Sequence, residues 1–312
     1  MRASSLPGSS AGKSRKSAGP AHAFGVPATI LLPDYTGRLG NRLILFTHVL
    51  AAAMEHGFRV WNWSLLPAAH YFQGTHLNPL ASYPRRHFPL DLRWLVRPFR
   101  RGVEEWIRGC RRGRREGSRL FLVLDRENRP NLDLASETFA RMVSDYPWMV
   151  LWGYSFRCPS LVEKHAKKIR RFLAVRPEFA PAGGLRLGRN PAGRRIVVHL
   201  RQGDFKTWQG GKHYRSPKTM AVALAALRPD RRDRVWICSD DAVPARIFPP
   251  SADGRPRSLG EDLWLLTHAT DVVSGTSTLA AWAAFEGKAR HWLVDRRGRL
   301  HRRKGSAFAT DY

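Results

Sequence analysis

The chain has 312 residues, 43% of them apolar, enough to build the cores of two ordinary domains and too apolar for a disordered or fibrous protein. Lys and Arg number 53 against 25 Asp and Glu, and the formal charge of +28 fits a polyanion binder and, equally, the composition bias of an Arg- and Ala-rich genome. The three cysteines, Cys110, Cys158 and Cys238, are odd in number and far apart, which excludes a disulfide framework or a zinc motif and points to a reducing, cytoplasmic setting.

Residues 1–24 hold Lys13, Arg15 and Lys16 among Ser, Gly and Ala without an apolar run, and read as a disordered basic tail rather than a secretory signal. Ala28 to Leu32 is a predicted strand, and a glycine turn carries Gly37, Arg38, Gly40 and Asn41 into the apolar run Leu43 to Met54. That run is too short to span a bilayer and Gly57 ends it as a helix. A helix starting near Asn41 points free N–H groups at an anion, although the turn does not match the G-x-G-x-x-G dinucleotide fingerprint. Phe58 to Trp61 reads as the next strand, so strand, turn, helix and strand open an α/β layer.

From Asn62 to Arg119 the period weakens, and Trp94, Phe99 and Trp106 interleave with a dense Arg cluster. Such a stretch suits stacking on sugars or bases, and more simply a solvated amphipathic helix. Strands at Leu120 to Leu124 and Trp148 to Trp152 flank a predicted helix near Leu132 to Val143. A helix from Ser160 to Leu173 then places Lys164, Lys167, Lys168, Arg170 and Arg171 on its polar face.

Residues 177–194, rich in Pro, Gly and Ala, are the predicted linker between domains at 25–176 and 195–295, with a basic tail over 296–312. In the second domain the strand Ile196 to Leu200 runs into Arg201, Gln202, Gly203 and Asp204, and a helix covers Pro217 to Leu227. Strand Arg234 to Cys238 ends in Ser239-Asp240-Asp241, and a helix over Glu261 to His268 follows. The strand at Asp271 ends in Ser274-Gly275-Thr276-Ser277-Thr278, before a helix over Leu279 to Phe285 and a strand over His291 to Val294. Three successive strands therefore end in small or charged polar residues, and in a parallel sheet such ends share the edge where ligands bind. A guanidinium at Arg201 can hold a phosphate through paired hydrogen bonds. Taken alone, the stretch around Arg201 is equally an ordinary strand end with a solvated arginine.

G-R-L-G-N, H-L-R-Q-G-D-F, C-S-D-D and S-G-T-S-T-L-A-A-W-A-A occur in that order between residues 28 and 295. Together they resemble the fucosyltransferase superfamily, and within it the α-1,2-fucosyltransferase-like family, whose pattern is G-x-L-G-N-Q, H-x-R-R-G-D-Y, S-D-D and S-x-S-x-x-W-W-A. The resemblance implies an α/β protein of the GT-B type, two Rossmann-like domains facing a cleft. It implies an inverting, metal-independent transfer of fucose from GDP-fucose to a hydroxyl of a glycan acceptor, with no cofactor. The N-terminal domain is then the acceptor side and the C-terminal domain the donor-nucleotide side.

By the same resemblance Arg201 contacts the β-phosphate of the donor and is catalytic, His199 lies against the nucleoside, and Asp240 and Asp241 lie near the guanine. Ser277 and Thr278 hold the phosphates, with capping of the following helix as the competing use. Gly37, Arg38, Gly40 and Asn41 match the first-domain loop that closes over the donor. Asp204 is the nearest candidate base for the acceptor hydroxyl, and it has pairing with Arg201 as an equally good role. Two positions depart from the pattern: Gln202 stands for the second arginine, and Arg42 for the glutamine after G-N. An exchange of charge between these loops keeps a cation near the same diphosphate; a GT-B transferase with another nucleotide sugar is the alternative. The charge alone suggests a nucleic-acid binder, an unlike class that the motifs outweigh, or a peripheral contact with an anionic membrane surface at the inner face.

Overall fold

The computed structural model describes residues 27–33, 37–85, 101–109, 120–125, 129, 132–153, 155–181, 193–250 and 252–303. The first sheet contains β1 (Thr29–Leu32), β2 (Arg59–Asn62), β3 (Phe121–Asp125) and β4 (Trp148–Trp152) in the order β2-β1-β4-β3, every pair parallel. Its helices are α1 (Leu39–His56), α2 (Glu137–Asp145) and α3 (Pro159–Leu173). Gly57 closes α1 as expected, in the left-handed conformation at φ 75°, with its N–H donating to the Ala53 carbonyl. α1 is apolar nearly all round because it is covered on several sides, by α3 and by a helix of the second half.

The second sheet is built from β5 (Arg195–Leu200), β6 (Arg234–Ser239), β7 (Ala252–Asp253), β8 (Asp271–Ser274), β9 (Arg290–Val294) and β10 (Leu300–Arg302), in the order β10-β9-β8-β5-β6-β7. Only β10 runs antiparallel, against β9. β5 is buried along its length between β6 and β8, which is why its Ile-Val-Val run carries no polar alternation. The helices are α4 (Pro217–Ala226), α5 (Leu259–His268) and α6 (Thr278–Gly287). Each starts on a serine, Ser216, Ser258 or Ser277, whose hydroxyl accepts from a backbone N–H of the first turn.

A continuous core runs from the first sheet through α1 and α3 to α5 and α6, and a smaller one around Val198, Met220 and Val273 fills the opposite face of the second sheet. The two halves meet through α1 and α6. Trp282 sits in that contact, fully buried and edge-on to Phe72 at 5.7 Å. At its start the contact is closer still: a Cβ on Gly40 would lie 2.4 Å from the backbone nitrogen of Leu279.

Several expectations need correcting. The helix predicted from Leu132 begins only at Glu137, because the Asp133 carboxylate accepts from the Ala135 N–H and Ser136 caps the turn that follows. Arg170 is not on the solvent face of α3: its Nε donates to the Phe285 carbonyl at 2.8 Å and its guanidinium lies 4.4 Å from the Phe285 ring centre. The sheet also continues past residue 295, since part of the segment assigned to a tail forms β10. Of the arginine-rich stretch, residues 101–109 are helical, with Ile107 buried and Trp106 packed on Phe121; residues 86–100 and 110–119 lie outside the described residues, as do 1–26 and 182–192.

Candidate active site

β5, β6 and β8 are parallel and end level with one another, with His199 opposite Cys238 and Ser274, so Arg201, Asp240 and Ser277 emerge at one edge. Arg201 is held from two sides. Its Nε donates to Asp204 Oδ1 at 2.8 Å and lies 3.2 Å from Asp240 Oδ2. Its terminal nitrogens make no hydrogen bond among the described residues, so one edge of the guanidinium is fixed and the other is presented.

Asp240 also fixes the loop beneath. Its Oδ1 accepts from the backbone N–H of Gln202 at 2.6 Å and of Gly203 at 3.3 Å. The carboxylate expected near a guanine is thus engaged in bracing Arg201 and its loop. Asp241, half-exposed, pairs with Lys206 Nζ at 3.1 Å.

Asp204 connects the two halves of the chain, because Arg38 Nη2, from the turn before α1, lies 3.3 Å from its Oδ2. The Arg201 hydrogen bond first, and then the charges of Arg201 and Arg38, hold its carboxyl below the usual carboxylate range. Its two oxygens are thus taken by Arg201 and Arg38, the pairing role named for it beside that of a base.

A small pocket opens beside Arg201, lined by His199, Phe205, His213, Arg215, Gly275 and Ser277 among others. His199 is buried and its Nδ1 has no hydrogen-bond partner among the described residues. Burial first, then the charge of Arg201, pushes its pKa down to about 4, so the ring is neutral at pH 7. Ser277 lines the cavity while its hydroxyl caps α6 by accepting from Ala280 N–H at 3.2 Å, so capping and ligand roles fall on one residue. Thr278, the first residue of α6, lies against Gly40, and Asn41 packs over Gly37, whose φ of 73° forms the turn. Gly37, Arg38, Gly40, Asn41 and Thr278 are thereby assembled at the junction of α1 and α6, and His199, Arg201, Asp204, Asp240 and Ser277 at the strand ends. Asp241 lies at the rim.

The two residues that depart from the pattern both hydrogen-bond within the protein. Gln202 is almost fully buried, its amide donating to the Arg215 carbonyl at 2.9 Å and accepting from the Tyr214 hydroxyl at 3.0 Å. Arg42 donates to the carbonyls of Gly37 and Ser64 in the first half. Gln202 is therefore a strut for the loop 212–216 and not a ligand. Phe205, His213 and Arg215, which line the cavity, carried no motif signal beyond the aromatic after Gly203-Asp204.

No protein-family model matches the chain, and no curated protein sequence does. Its fold has solved counterparts. It superposes on a mutant of Arabidopsis thaliana FUT1 in complex with GDP at a TM-score of 0.54, with 11% identity, over 89% of this chain and 73% of that one. The fold is of the GT-B type. The apo form of POFUT1 superposes at 0.48 with 12% identity over 84% and 95% of the two chains, and the fucosyltransferase NodZ from Bradyrhizobium at 0.47 with 16% identity over 89% and 98%. In such α/β sheets ligands collect at the carboxyl ends of the strands, the edge at which Arg201 lies.

Proposed function

We propose that the chain is a glycosyltransferase that moves fucose from GDP-fucose to a hydroxyl of a glycan, with inversion, without a metal ion and in the α-1,2-like manner. The observation that carries this reading is the Arg201 guanidinium, braced on its Nε edge by Asp204 and Asp240 and open on its other edge beside the start of α6. As the bond from the sugar C1 to the diphosphate oxygen breaks, negative charge grows on the departing GDP while the acceptor oxygen closes on C1 and passes its proton to a base, for which Asp204 is the nearest candidate. A cation already in place stabilises that charge without reorganising, and needs no bound ion to do so. The α6 N-terminus at Ser277 and Thr278 adds N–H groups of the same polarity.

In this reading residues 25–176 form the acceptor side and 195–295 the donor side, with Arg38 reaching across to Asp204. The solved FUT1 and POFUT1 structures bound to GDP support a guanine nucleotide as the ligand of this fold. Among the described residues no helix is long and apolar enough to cross a membrane. We place the enzyme in the cytoplasm, with its basic surface in peripheral contact with anionic lipid. The test is turnover: Arg201→Ala should lower fucose transfer from GDP-fucose by about 10²- to 10³-fold. Near-wild-type transfer by that variant overturns the assignment.

A further inference from the structure

Beyond Asp204 the chain makes a short, tightly wound loop, of which Phe205 and His213 line the pocket beside Arg201 and Trp208 does not. It holds one 3-10 turn, Asp204–Lys206, followed by a kinked turn over Trp208–Gly211 with positive φ at Gln209, Gly210 and Gly211. Gln209 has no glycine's freedom, and its φ of 49° is kept by the surroundings. Its side-chain Oε1 lies 3.1 Å from His213 Nε2, and His213 Nδ1 lies 2.7 Å from Thr276 Oγ1 in the segment leading to α6.

That anchoring sets three rings together. Phe205 and Trp208 stack at 5.5 Å with an interplanar angle of 19°, and Trp208 stacks on His213 at 4.8 Å and 30°. Phe205 continues to the site, since the Arg201 guanidinium carbon lies 5.5 Å from its ring centre. The outermost ring is not covered: Trp208 is 48% exposed. A tryptophan packed by two rings, with half its surface in solvent, is an apolar plane offered to a ligand. Burial first, then the charges of Lys212, Arg215 and Arg296, lowers the His213 pKa, so this plane is uncharged at neutral pH.

We propose that Phe205, Trp208 and His213 form the acceptor subsite, with the indole of Trp208 stacking on the C–H face of a hexose ring of the glycan. Polar groups of the same loop are available to the hydroxyls of such a ring: the Gln209 amide beside His213, Lys206 paired with Asp241, and the carboxylate of Asp204. The subsite rests on the glycosyltransferase reading, and it places the acceptor beside Arg201, where the departing diphosphate is held.

Two measurements on the full chain separate the subsite from the donor site. Binding of lactose and of chitotriose is followed by ligand-observed NMR, and binding of GDP by calorimetry, for wild type, Trp208→Ala and Trp208→Phe. The expected result is saturable millimolar binding of at least one sugar to wild type, about tenfold weaker in Trp208→Ala and partly restored in Trp208→Phe, with GDP affinity unchanged. Sugar binding that is absent from wild type, or equal in Trp208→Ala, overturns the subsite. So does a parallel loss of GDP affinity, which would mean that the plane stacks on the guanine. Failure of wild type to bind GDP while the Trp208-dependent sugar binding persists would instead count against the donor reading alone.

Discussion

Replacing Gly40 by Ala sets two forces in opposition. Gly40 is the second residue of α1, where helix propensity alone favours Ala by up to about 1 kcal/mol. Packing opposes it: the added Cβ would lie 2.4 Å from Leu279 N, 2.6 Å from Thr278 Oγ1 and 2.8 Å from Leu279 Cα. Two of those atoms are backbone of α6, so the helices must separate by roughly 1 Å, at an overpacking cost of about 1–3 kcal/mol. A net destabilisation of about 1–2 kcal/mol follows, read as a fall in Tm of about 2–3 °C. The first turn of α6 carries Ser277 and Thr278, so displacing it should also cost about 10- to 100-fold in transfer. Thermal unfolding and initial-rate assays of Gly40→Ala check both. A variant as stable as wild type or more so, with undiminished transfer, would refute the view that this contact positions the site.

Two further outcomes follow from buried polar groups. Glu286 is partly buried, but its Oε2 is cut off from solvent and has no hydrogen-bond partner among the described residues, and burial pushes its pKa up to about 8 despite the nearby charge of Arg170. The folded chain thus keeps this proton up to pH 8 while the unfolded chain loses it near 4.5, so stability falls as pH rises between those values and levels off above. Glu286→Gln removes that slope, and by pH 8.5 the variant should exceed wild type by about 2–4 kcal/mol in urea unfolding; parallel stability curves would contradict this. Gln202→Arg should destabilise the loop by about 1–3 kcal/mol through loss of the Tyr214 and Arg215 hydrogen bonds. Adding Arg42→Gln should not restore activity, and restoration by the pair would revive the idea of an exchanged charge.

The sheet elements were legible because their signals are local. The Ile-Val-Val run of β5, the Ser277 cap of α6 and the helix end at Gly57 each follow from a few adjacent residues. Arg201, Asp204 and Asp240 were legible as strand-end residues, and the two carboxylates proved to act on the arginine. What could not be read depends on distance through the fold. The Gly40 contact with Leu279, the Arg38 reach to Asp204 and the burial of Gln202 under Tyr214 join positions that no sequence period relates. The segment Trp63–Tyr71 escaped for another reason. It is a 3-10 turn with Pro67 inside it, and so shows neither a helical nor a strand repeat.

The measurement closest to the central claim is calorimetric titration of the purified chain with GDP and with ADP, in wild type and in Arg201→Ala. The account expects saturable binding of GDP in preference to ADP, lost in the variant while its Tm stays near that of wild type. Equal binding of the two nucleotides, or GDP affinity that survives the loss of Arg201, would contradict it.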